Sequence, residues 1–595
     1  KEKNPVRLES NYDKKIDDYR NKCEIYCGGR NGDKIYFGKP IIYDSNKSHY
    51  MYPNEARIRN MTYAMTIHYD IDVVFTNILN EGEQPELISG ADGGGYEEHN
   101  ENVDDHKVAY KFDNYKKDTN YNGEIQGGAI KKINRTKTIK EYDLTANEAT
   151  ELRERTHASM INANTQSHTI TLEKMYLGKF PIMLQSDFCI LKGLSPEARH
   201  SMGECRQDLG GYFIIQGKEK AVISQEKFAD NMLYVRKYIK EGEDEQELEH
   251  LYSAEVRSVS ENASKPIRKL SVKMVAPTTS ITNKNIVVNI PNARKPVPLF
   301  IVMRALGIIS DKAIMSMCLL DIDKHESWLD DFIPSVHDAG GIMTQKLAVE
   351  FIASLTKGKR LEHGLEIITD YLLPHVGETN YKEKAYYLGH MVYKLLSVAN
   401  GVEQPTDRDN FKYKRVELVG SLMYDLFRDY YTEQQNHIRL EYDKRLNLNL
   451  NLYASELNTL ITSYQNDIFK DRIIEQGFNK AFKGNWGAKP NTKRIGVLQD
   501  LNRLSFNGYL SHLRKTNLPL DSSAKVTGPR LLHGSQWGFI DPLDTPDGAN
   551  IGLHKSLAIM THVTQGGIGV REPIIQWLRE KIALKYVCEC LPKML

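Results

Sequence analysis

Apolar periodicity along this chain switches between two residues and 3.6 without settling into a regular strand–helix alternation. That most narrows the folds open to it. A doubly wound parallel sheet requires such an alternation, so the expected class is α+β, spread over several domains. A hairpin is marked at Gly210–Gln225. Tyr212–Ile215 is an apolar strand, Gln216-Gly217-Lys218-Glu219 carries turn chemistry, and Ala221-Val222-Ile223 returns. Leu388, Met391, Val392, Leu395 and Ala399 fall on one helical face, and Val419, Leu422, Leu426 and Tyr430 on another. Leu498, Leu501 and Leu504 predict a third helix over about 495–513.

At roughly 150 residues per domain, 595 residues predict three to five domains. The first residues, Lys1-Glu2-Lys3-Asn4-Pro5, carry no apolar signal region, and no apolar run reaches membrane-spanning length. Seven cysteines, sparse and odd in number, argue for a reducing compartment. Cys23/Cys27 and Cys588/Cys590 could each be half of a zinc site, but no second pair lies near either, so free thiols are expected.

Net charge is only +1, so its distribution matters more than its sum. Two stretches are acidic: Asp92–Asp105, the start of a predicted surface insertion reaching about Glu124, and Glu241–Glu249. One stretch is the opposite. Gln476–His533 holds ten basic residues and two acids, a local balance of +8 against −7 elsewhere. Asn485, Trp486, Asn491, Gln499, Asn502, His512 and Asn517 are interleaved with the cations. A neutral protein with one basic strip suits a local polyanion, which points to nucleic acid. The bland alternative for each cation is an internal salt bridge. Two loops flank the predicted helix: Lys483–Pro490, and Thr516–Pro529.

Several blocks carry a family likeness. Ser511-His512-Leu513-Arg514-Lys515-Thr516-Asn517 resembles the S-H-L-R-R-T-N run of the second-largest subunit of multisubunit DNA-directed RNA polymerases of eukaryotic, archaeal or large-DNA-virus type. Trp537-Gly538 with Asp544-Thr545-Pro546-Asp547-Gly548 and Asn550-Ile551-Gly552-Leu553 resembles its W-G … E-T-P-E-G motif, and Gly484-Asn485-Trp486-Gly487 its first fork loop. Upstream, Tyr52–Asn60 is similar to Y-P-x-E-A-R-x-R-N, and Asp208–Lys220 to the G-G-Y-F-I-I-N-G-x-E-K hairpin. Thr406–Asp409 with Lys414-Arg415 and Gly420 is similar to D-D-R-D … K-R-x-x-x-x-G. Asp replaces Glu at 544 and 547, Asp541 stands for Cys, Lys515 for Arg and Gln216 for Asn. The divergent motifs and the acidic insertion suggest a large DNA virus.

The resemblance implies a protrusion at 1–236 and 401–475, a lobe at 237–400, a fork with two fork loops at 476–555, and the start of an external domain at 556–595. It implies a part of an RNA-synthesising enzyme that is inactive alone, with no catalytic residue in this segment. Magnesium would be held mainly by the largest subunit, and zinc would lie outside this segment. Partners would be the largest and smaller subunits, the DNA template and the RNA–DNA hybrid, with no membrane. Nucleic-acid contacts would come from Gln499, Arg503, Arg514, Lys515, Arg530, Lys483, Lys489, Lys493 and Arg494, and a pocket near the hybrid from Asn502, His512, Asn517 and Asn550. Glu55, Arg57 and Arg59 would form ion pairs that fix a helix. Expected sites are nucleus or cytoplasm, or a virus factory or virion. A split or truncated subunit acting as a non-catalytic binding or assembly module is the alternative.

Overall fold

The computed structural model describes residues 5–13, 18–44, 47–78, 165–238, 250–260, 265–277, 284–448, 457–469, 472–564 and 571–585. The acidic insertion at 92–124, the acidic run 241–249 and Cys588/Cys590 lie outside them. Sheets and helices are mixed throughout, as the α+β expectation has it. Contacts divide the chain into two units, one of Lys1–Ser89, Ala163–Phe228 and Asp409–Val563, the other of Gly90–Asn162, Ala229–Arg408 and Thr564–Leu595.

In the first unit the long strand Ala64–Ile78 is central. Val6–Asp13 pairs with Asp18–Cys27, which pairs with Ala64–Ile78; that strand also takes Ile35–Phe37 and Thr165–Pro181. Ile67, Tyr69, Ile71, Val73 and Phe75 alternate onto one face and are buried. They share a core with Leu422, Leu426, Tyr430, Ile438, Tyr442 and Leu446, which recur at helical spacing along Val419–Leu448. The opposite face buries Asp70 and Asp72, each satisfied. Asp72 takes Lys34 and Thr171; Asp70 takes Tyr36 and the Lys174 amide.

The predicted hairpin is present, tighter than the sequence reading. Phe213–Ile215 pairs with Lys218–Val222 around a two-residue turn. Gln216 (φ 50°) and Gly217 (φ 77°) both occupy the left-handed region, which matches the twist of the flanking strands. A side chain at Gly217 would meet Asn60, so the tip packs directly on the Tyr52–Asn60 block.

The third predicted helix is corrected. Leu498–Asp500 is a strand paired with Lys220–Val222 of the hairpin, and the helix runs only over Phe506–Leu513, capped by Ser505. Three leucines at spacing three read as a helical face, but Leu504 is 94% exposed. Hairpin edge hydrogen bonds outcompeted local propensity. The second loop likewise starts later, because Lys515–Asn517 is a strand between Ser224–Phe228 and His554–Ser556, in a sheet completed by Lys414–Glu417.

The second unit holds an antiparallel meander of Leu233–Lys237, His250–Ser258, Arg268–Val275, Ile286–Asn289 and Val297–Pro298. The predicted helix appears as Tyr381–Ala399 and buries Leu388, Met391, Val392 and Leu395 in the unit's core. No described helix is long and apolar enough to cross a membrane. Cys23, Cys27, Cys189, Cys205 and Cys318 are free.

Candidate nucleic-acid interface

The basic strip lies entirely in the first unit, and its cations fall into two groups. The arginines are engaged inside the protein. Arg494 reaches Glu417 at 2.7 Å, and Glu417 also takes Lys227 at 3.2 Å. Burial opposes ionisation of Glu417, but these two cations outweigh it and hold its carboxyl below the usual range. Arg503 donates to Glu219 at 2.7 and 3.0 Å and to Asp208 at 3.2 Å, with its guanidinium 4.9 and 4.7 Å from the rings of Tyr212 and Tyr509. From the other side Arg57 donates to Glu219 at 2.9 Å, to Glu204 at 2.7 Å and to the Tyr212 hydroxyl at 2.7 Å. Tyr212 in turn donates to Asp208 at 2.8 Å. Burial raises the cost of charge on Glu219, yet Arg503 and Arg57 together depress its pKa. Two motif blocks, Tyr52–Asn60 and Asp208–Lys220, are thus joined with Arg503 of the basic strip in one network. Arg59, as expected, pairs with Glu55 and Asp44.

Arg514 and Arg530 are engaged differently, by carbonyl oxygens. Arg514 donates to the Ala558 oxygen at 2.6 Å and to those of Ile559 and Thr561 at 3.2 Å. Arg530 donates to Ala549 at 2.6 Å, Ile551 at 3.2 Å, Ser522 at 2.8 Å and Ala524 at 3.4 Å. Each arginine staples a loop lacking long secondary structure, and its charge stays unneutralised because a carbonyl carries no formal charge.

The lysines form the second group. Lys483 and Lys489 are exposed on the first loop and Lys493 just beyond it, and Lys515 is half-buried on its strand. Among the described residues none has a carboxylate within ion-pair distance. Lys515 acts on two neighbours: burial lowers the pKa values of His512 and His554, and the Lys515 charge lowers them further.

The loop that carries Lys483 and Lys489 is itself rigidly built. Trp486 is buried against Phe482, and the Arg494 amide donates to its carbonyl at 3.0 Å. Gly487 has φ 105°, and a side chain there would collide with the Thr492 carbonyl.

Of the four pocket residues, His512 and Asn517 are buried, Asn502 is half-buried and Asn550 is exposed at a turn. The His512 Nδ1 accepts from the Asn502 amide at 3.2 Å, so its proton sits on Nε2, which meets the Gln499 Oε1 at 3.0 Å. The Gln499 amide also donates to the Gly496 carbonyl at 3.1 Å. Gln499, Asn502 and His512 therefore form one network; Asn517 lies beside Gly496 and Asn550 stands apart from it.

One group escaped the sequence reading. Glu226 sits between Lys555 at 2.9 Å and Lys414 at 3.2 Å, all three nearly inaccessible, and Lys414 also lies 4.1 Å from the Phe228 ring centroid. The available signal was a Glu-Lys pair inside an otherwise strand-like run after the hairpin. Among the described residues no group of three or more His, Cys, Asp or Glu is placed to hold a metal ion.

Comparison with known proteins fits this arrangement. A family model described as RNA polymerase beta subunit matches residues 97–466, and another described as RNA polymerase Rpb2, domain 3, matches 499–563. The chain is 34% identical over 418 residues to DNA-directed RNA polymerase II subunit RPB2 of Schizosaccharomyces pombe, covering 68% of this chain and 33% of that protein. It is 35% identical over 427 residues to subunit 2 of RNA polymerase II of Arabidopsis thaliana, covering 70% and 34%. It is 30% identical over 421 residues to subunit Rpo2N of Methanothermobacter thermautotrophicus, covering 66% of this chain and 75% of that one. The aligned region is about a third of the length of the eukaryotic relatives. The first model alone spans more than half of the chain, and the archaeal match covers three quarters of its partner; this chain belongs to the RNA polymerase beta subunit family.

Proposed function

We propose that the chain is the protrusion, lobe and fork portion of the second-largest subunit of a DNA-directed RNA polymerase, and that within the assembled enzyme it holds DNA and the RNA–DNA hybrid. In this reading the protrusion is 1–236 with 401–475, the lobe 237–400, the fork 476–555, and an external domain starts at 556. A unit boundary at Phe228/Ala229 and another at Arg408/Asp409 favour a separate lobe. The largest subunit would hold the magnesium ions that stabilise the attacking and leaving oxygens of phosphoryl transfer. This chain's contribution is to grip and align.

The observation that carries the reading is the surplus charge of the strip. Among the described residues Lys483, Lys489, Lys493 and Lys515 have no carboxylate in reach, and Arg514 and Arg530 are fixed by uncharged oxygens. A fixed set of unneutralised cations gains free energy from phosphates by releasing condensed counterions. Within the set the roles differ: the arginines hold the loops in place, while the lysines are free to contact phosphate.

The test is an elongation complex assembled with the tagged chain and its co-purifying subunits, titrated with salt. Lys515→Gln should shorten complex lifetime and lower the slope of log affinity against log salt by about 0.7 to 0.9, one phosphate contact. A largest subunit absent from the purified particle, or an unchanged slope, would overturn the reading.

A further inference from the structure

A second cationic surface lies on other elements of the first unit. The strands Ala64–Ile78 and Thr165–Pro181 place His68 opposite Tyr176 and Thr66 opposite Lys179, so these side chains share one face. Beside that face the turn after Ile35–Phe37 brings in Lys39, and the hairpin of Ile41–Asp44 with Lys47–Tyr50 brings in Tyr43. Together they line an open groove of about 600 Å³. Ile41, Met51, Met61, Ala64 and Pro181 also line it, beside the cationic and aromatic side chains. Tyr43 is 83% exposed. Lys39 lies 5.2 Å from the Tyr50 ring centroid, and the His68 and Tyr176 rings meet edge to face at 5.8 Å. Neither Lys39 nor Lys179 has a carboxylate within ion-pair distance among the described residues; Glu475 also lines the groove, packed against Gly178 beside Lys179.

We propose that this groove binds a single-stranded segment of nucleic acid, with Lys39 and Lys179 on its phosphates and Tyr43 as a stacking platform. Two unneutralised ammonium groups call for an anion, and exposed aromatic rings interleaved with them suit unpaired bases, whose π faces stack without regard to sequence. A duplex hides those faces, and an acidic peptide offers charge but no flat surface for Tyr43. Its two lysines lie outside the basic strip, although the helix Ile473–Ala481, where the strip begins, supplies Glu475 and Asn479 to the lining.

The experiment uses the full chain and a fluorescein-labelled oligodeoxythymidine strand, read by anisotropy across a salt titration, with a 5-iodouracil-containing strand for photocrosslinking. Crosslinks to Tyr43, His68 or Tyr176 are expected. Lys39→Gln with Lys179→Gln should lower the salt slope by about 1.4, two single-strand contacts. Tyr43→Ala should weaken binding about fivefold or more with little change in slope. A Lys515→Gln chain run in parallel separates the two sites: groove crosslinks should persist in it, whatever becomes of the strip. Absence of groove crosslinks, an unchanged slope in the double lysine variant, or displacement of the strand by polyglutamate at lower concentration than by unlabelled strand would each overturn the proposal.

Discussion

Among single residues, Glu226 bears the heaviest electrostatic responsibility. It is the carboxylate between two buried ammonium groups, and neutralising it leaves both uncompensated out of water. Glu226→Gln should therefore cost about 3–5 kcal/mol in urea unfolding. Lys414→Met should cost less, because it leaves Glu226 and Lys555 as a balanced pair. If the two variants lose equal stability, the triad does not act as a charge balance. The residues of the basic strip were legible as a set, since ten cations against two acids need no structure to count. Their partners within the protein were not. Arg503 and Lys515 look alike in a sequence, but the carboxylates that claim Arg503 come from positions 208 and 219, far away along the chain.

At the level of elements, the loop around Trp486 shows how a short segment is made rigid without regular structure. Gly487 occupies a left-handed conformation against the Thr492 carbonyl; Gly484 has φ 107° but faces open space. Gly487→Ala should cost more than Gly484→Ala, by about 1–3 kcal/mol in urea unfolding, because strain and collision act together at the first and strain alone at the second. Equal losses would mean that the loop yields. The hairpin at 213–222 and the helices at 381–399 and 419–448 were readable because each satisfies its own periodicity and turn chemistry. The strand at 498–500 was not, because its pairing partner lies 276 positions away, Val222 opposite Leu498. Leucine spacing records a local preference and carries no trace of that edge.

For the whole molecule, acid should be the informative perturbation. His375, His390, His512 and His554 are held below the usual 6.5, in each case first by burial, with His375 lowered to about 4. The unfolded chain then binds more protons than the folded one between pH 6.5 and about 4, so stability falls as pH falls through that window. Glu219 and Glu417 have pKa values below the usual 4.5, so their contribution is complete above 4.5 and is lost as pH drops further. Urea midpoints should be flat from pH 7 to 8 and decline progressively below 6.5. Stability that rose on acidification to pH 5 would contradict these assignments. One consequence reaches back to synthesis on the ribosome. The bridge from Arg503 to Glu219 spans 284 positions. At about 5–20 residues per second, the acceptor waits roughly 15–60 s for its donor to be translated. Until then Glu219 has, among the described residues, only Arg57 as its charge partner, so a gene split anywhere between those codons would produce an amino-terminal fragment dependent on prompt meeting with its other half.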